Sequence, residues 1–212
     1  MPAAAALRGK NFGLAGIAVL ALLLGGCGSG PLPPLQWIRL PAQSPDMSMV
    51  PAEIAAPSAT MVWQLMGSVG LPGHLDRDAL LVPQGRAGLQ PLGSARWAEP
   101  LRDAVPRLLR QDLVRQLGAP LWVAPLPPGV VPTHQLRLEI AAFDVAADAR
   151  SISVQARWTL ADAKGTVAPR VFDAAFNTAA AAPDADALAA AHRLALWQLA
   201  GRIAQSARSP VP

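Results

Sequence analysis

Ile152-Ser153-Val154-Gln155-Ala156-Arg157-Trp158-Thr159-Leu160 is the stretch that decides the fold. Its apolar residues at even positions alternate strictly with polar ones at odd positions, the pattern of a strand with one buried and one wet face. Upstream, Leu136, Leu138 and Ile140 alternate in one phase and Phe143 and Val145 in the other, which predicts a bulge near Ala141 or Ala142. Downstream, Phe172, Ala174 and Phe176 alternate again. The turns at Asp148-Ala149-Arg150 and Asp162-Ala163-Lys164-Gly165 are short enough for antiparallel neighbours, so the three strands form a meander.

Helical periods flank this meander. After Pro100, suited to a first helical position, Leu101, Val105, Leu108, Leu109, Leu113 and Leu117 recur at spacings of three and four, and Gly118 closes the helix. Pro106 falls inside it and predicts a kink or a delayed start. A second helix runs from about Asp184 to Ala207, with Asp184 or Asp186 as N-cap, an inward stripe of Leu188, Ala191, Ala195, Leu199 and Ile203, and Arg193, Arg202 and Gln205 outside. Shorter strands are expected at Met61 to Leu71, Leu80 to Val82, Leu89 to Trp97 and Leu121 to Leu126. The fold class is α/β, a layered domain with a mixed, mostly antiparallel sheet packed by two main amphipathic helices.

The chain's one cysteine, Cys27, cannot form an internal disulfide and follows Leu24-Gly25-Gly26. Before it stand Arg8 and Lys10, then an apolar stretch from Phe12 to Leu24, roughly 20 Å long as a helix and short of the ~30 Å hydrocarbon core of a bilayer. This is an export signal and not a permanent span. The Leu-Gly-Gly-Cys ending resembles a bacterial lipobox, which implies a signal peptide over 1–26, a diacylglyceryl group on the Cys27 thiol, cleavage before it and acylation of the new amine. Gly28-Ser29 resembles the outer-membrane sorting pattern, so the expected location is the outer membrane, facing the periplasm.

Cleavage leaves 186 of the 212 residues, enough for one domain and a tether. Removal of Arg8 and Lys10, with no acidic residue, lowers the net charge from +4 to +2. No basic run, zinc spacing or aromatic-basic motif marks a nucleic-acid surface. Residues 27–58 are proline-rich, a semi-stiff spacer with an edge strand over 35–40, and the folded body spans 59–208.

Catalytic signals are sparse. His74, His134 and His192 lack metal-ligand spacing, and no nucleophile elbow, Walker A or dinucleotide loop is present. His74, Asp76 and Asp78 are the one local set that could supply a base and an orienting acid, the basis for a tethered hydrolase as a minor alternative.

Val69-Gly70-Leu71-Pro72, Leu75-Asp76-Arg77, Leu81-Val82 and Arg96-Trp97-Ala98-Glu99-Pro100-Leu101 resemble, in order and spacing, the ABC-type transport auxiliary lipoprotein family, including its PqiC-like, MCE-associated members. The resemblance implies a non-enzymatic envelope component with no cofactor beyond the covalent lipid on Cys27. Its implied partners are an MCE-domain protein and, through it, an ABC permease and ATPase that move lipid between membranes. It marks Leu71, Pro72, Leu75, Asp76, Arg77, Arg96, Trp97, Glu99 and Pro100 as shape-determining or partner-facing. Multimeric partners would suit a homo-oligomer. A tethered carrier that binds lipid in its own apolar groove is the rival reading.

Overall fold

The computed structural model describes residues 34–45 and 61–209; Cys27, the signal segment and most of the proline-rich stretch lie outside them. The strands are β1 (Gln36–Ile38), β2 (Trp63–Leu65), β3 (Ala79–Gln84), β4 (Gly88–Trp97), β5 (Leu121–Val123), β6 (His134–Val145), β7 (Ser151–Asp162) and β8 (Arg170–Ala179). The helices are α1 (Leu101–Leu117) and α2 (Ala185–Arg208), with a 3-10 turn at Gly73–Leu75. Five strands form one sheet in the order β5-β2-β6-β7-β8, and three form another in the order β1-β4-β3. Pairing is antiparallel in the meander and the β3–β4 hairpin, and parallel where β1 meets β4 and where β2 meets β5 and β6. The fold is therefore the expected α/β class with mixed, mostly antiparallel strands and two helices.

The meander matches its sequence pattern. Ile152, Val154, Ala156, Trp158 and Leu160 are all buried, and the register shifts between Ile140 and Ala142, leaving Ala141 as the extra residue of a bulge. Asp148 closes the first turn by accepting from the backbone N–H groups of Arg150 and Ser151. The long strand expected from Met61 to Leu71 is shorter: β2 stops at Leu65, Gly67 takes a left-handed φ of 76°, and the chain returns to β6 at the Gly70–Glu139 bridge. The strand from Leu121 ends at Val123, before Pro125.

Helix α1 begins at Leu101, so Pro106 does not delay it, and Pro100 stands one position before the first helical residue. Gly118 follows with φ of 63°, the left-handed conformation that ends a helix without steric penalty. The side chain of Asp184 caps α2, accepting from the Ala187 N–H at 2.9 Å. Helix α2 packs on β7 and β8 on one side and α1 on another. Its alanines at 189, 191, 195, 200 and 204 are buried, and these small side chains let the neighbouring layers approach closely.

Arg193 departs from expectation. It is 2% exposed, not on the wet face, and forms a two-pronged ion pair with the fully buried Asp112 of α1, at 2.6 and 2.7 Å. Its Nε also donates to the Pro41 carbonyl at 3.0 Å, and Ser44 approaches both partners. The segment after β1 is thereby fastened to both helices, while Ile38 and Leu40 enter the core.

Candidate interaction site

The 3-10 turn and the β4–α1 junction meet at one corner. Trp97 donates its backbone N–H to the Asp78 carbonyl, and Ala98 donates to the Ile38 carbonyl at 2.7 Å. Arg102, in the first turn of α1, reaches the Asp76 carboxylate, and Arg96 stands 4.0 Å from Asp78. Arg107 pairs with Glu99 at 2.6 Å, one helical turn above the corner. These pairs are solvent-exposed and contribute little to stability individually. Their consequence is geometric: side chains on the turn, the junction and the helix are held in one arrangement.

The marked residues divide by burial. Trp97 is buried, Leu71 and Leu75 pack against the core, and Pro72 is half-buried, its carbonyl accepting from the Leu75 N–H at 3.0 Å. Asp76, Arg77 and Pro100 are exposed, with Arg96 and Glu99 partly so. Asp76 pairs with Arg102, not with Arg77 or Arg96, because the 3-10 turn carries it toward the start of α1. Arg77 forms no ion pair among the described residues.

The local acid–base set is separated. His74 bonds through Nε2 to Asp144 on β6, Asp76 to Arg102, and Asp78 leans toward Arg96. Among the described residues no nucleophile is hydrogen-bonded to His74, and its contact with Asp144 ties the turn to the sheet. Among the described residues, no group of three or more His, Cys, Asp or Glu side chains is arranged to hold a metal ion, and no helix is long and apolar enough to cross a membrane.

Behind the corner lies His192, fully buried between the rings of Trp97 and Phe143, with ring centroids 5.6 and 5.0 Å away. Its Nδ1–H donates to the Leu188 carbonyl at 2.8 Å. Burial lowers its pKa from 6.5 to about 4, against the smaller upward pull of that carbonyl and of Asp144. The unfolded chain therefore takes up a proton near pH 6.5 that the folded chain refuses until about pH 4. Stability from neutral His192 is complete above pH 6.5 and is lost as pH falls toward 4. At pH 5 the loss should be about 2 kcal/mol. Denaturant unfolding of wild type and His192→Gln between pH 4.5 and 7.5 checks this; the variant should lack most of that slope, and parallel profiles would refute the assignment. The space beside His192, His74 and Asp144 is about 10 Å³, on the scale of one water and far below an acyl chain.

Sequence reasoning missed Asp112 and Arg193. The signal was present: Asp112 lies four residues after Leu108 on the α1 stripe, and Arg193 four after Ala189 on α2, so opposite charges occupied inward positions on facing helices.

The model of the family described as ABC-type transport auxiliary lipoprotein component matches residues 46–204. The fold is similar to a crystal structure of an uncharacterized protein, with a TM-score of 0.59 and 17% identity over 82% of this chain and 99% of that one. It is also similar to the crystal structure of protein XCC0632 from Xanthomonas campestris, of family DUF330, with a TM-score of 0.51 and 17% identity over 82% of this chain and all of the other. At that identity both likenesses concern the fold alone. No curated protein matches the chain significantly.

Proposed function

Because the chain belongs to the ABC-type transport auxiliary lipoprotein component family, we propose that it is an acylated, non-catalytic subunit that docks the periplasmic end of an MCE-type lipid transport assembly. Cys27 carries the lipid and holds the protein at the outer membrane, and the partner is an MCE-domain protein, through which the permease and ATPase are reached. The observation that supports it best is the corner itself. Two separate motifs meet there, with Leu71, Leu75 and Trp97 turned to the core and Asp76, Arg77, Glu99 and Pro100 outward on a braced frame. A braced set of exposed charged side chains offers a partner a surface whose charge pattern can fix orientation.

Arg77→Glu tests this reading. The side chain is exposed and unpaired among the described residues, so unfolding free energy should change by no more than about 0.5 kcal/mol. Restoration of the envelope permeability barrier in a deletion strain should nevertheless fall sharply at equal protein level. Full restoration would count against a partner-facing corner.

A further inference from the structure

We infer that the outer face of β1 rests on the headgroup layer of a zwitterionic phospholipid bilayer. This rests on the proposed acylation at Cys27. Alternate residues of a strand share a face, and Ile38 and Leu40 use one face to enter the core. The other presents Leu35, Trp37 and Arg39 in a row, Leu35 59% and Trp37 61% exposed. The strand lies at the edge of its sheet, and no packing demand explains an indole there. An aliphatic side chain, an indole and a guanidinium in succession match the membrane interface, where the amphipathic ring sits at headgroup level and the cation reaches phosphate.

The tether fixes the occupant. Only seven residues lie between Cys27 and Leu35, so the two are no more than about 28 Å apart even when the chain is fully extended. Acyl chains on Cys27 therefore keep this strand close to the lipid surface, whichever way the rest of the domain turns.

Charge narrows the lipid class. Beside Trp37 lies an open concavity of about 570 Å³ lined also by Arg39, Pro41, Gln43 and, from the first turn of α2, Asp186. Arg39 and Asp186 form no ion pair with any described residue. A cation and an anion flanking one concavity complement the phosphate and ammonium of phosphatidylethanolamine or phosphatidylcholine, whereas Asp186 repels a purely anionic headgroup. Trp37 adds an aromatic face for the ammonium.

The test uses the acylated mature protein in phosphatidylethanolamine–phosphatidylcholine vesicles with bromine near the headgroup end of the acyl chains. The wild type should float with the vesicles and show tryptophan quenching. Trp37→Phe should still float but lose most of the quenching, and Arg39→Glu should weaken it. Vesicles of phosphatidylglycerol alone should quench less, with the difference reduced in Asp186→Asn. Flotation with equal quenching in wild type and Trp37→Phe overturns the headgroup contact alone, and stronger quenching by phosphatidylglycerol overturns the zwitterionic preference. Failure of the wild type to float overturns the anchor, and this inference with it.

Discussion

Asp112→Ala is expected to lower the unfolding free energy by about 3–5 kcal/mol, because it strands the Arg193 guanidinium in a closed interior. For a domain of this size that is a fall in Tm of about 10 °C or more. Burial raises the Asp112 carboxyl above its ordinary pKa, while Arg193, Ser44 and Arg115 pull it back. Burying such a pair costs desolvation on both groups, so the net worth of the pair and the cost of breaking it are different quantities. The corollary separates the two. Asp112→Leu with Arg193→Met removes both charges together and should recover most of the loss, yet remove the hydrogen bond to the Pro41 carbonyl and leave Ser44 bonded, among the described residues, to Arg115 alone. Equilibrium unfolding of the singles and the double gives the coupling. A single-variant effect below about 1 kcal/mol would contradict a dry, fully engaged pair.

The second large effect concerns Cys27→Ser. Without the thiol the lipid has no nucleophile to attach to, and in the lipobox reading cleavage waits on that attachment. The variant should take up no labelled palmitate, keep the precursor's mass and disappear from the outer-membrane fraction, while its folded domain is unaltered. The contrast is close to all-or-none: each buried CH₂ contributes about 0.8 kcal/mol, and two or more chains make spontaneous release negligible where one chain binds only marginally. A Cys27→Ser protein of mature length, still in the outer membrane, would contradict the anchor.

The legible parts of the fold are those where one period dominates. Ile152 to Leu160, the phase change at Ala141 and the leucines of α1 announce their burial because each residue's environment is set by its own element. Met61 to Leu71 misled because an apolar run states burial but not conformation, and one glycine at positive φ converts half of it to a crossing. Arg193 misled because a charge was assigned to solvent by type; only the partner on another helix, 81 residues away, makes its burial tolerable. At the corner, the sequence marked Asp76 and Trp97 but not that one faces Arg102 and the other lines the nest of His192. Those relations exist only once the turn, the junction and the helix are assembled.

Docking to an MCE-domain protein is tested most directly by a photo-crosslinking amino acid placed at Arg77 in the membrane-bound protein, with Gln155 on the outer face of β7 as control. An adduct containing an MCE-domain protein from position 77, and none from position 155, is the predicted result. Absence of that adduct from position 77 at normal expression and normal outer-membrane location would contradict it.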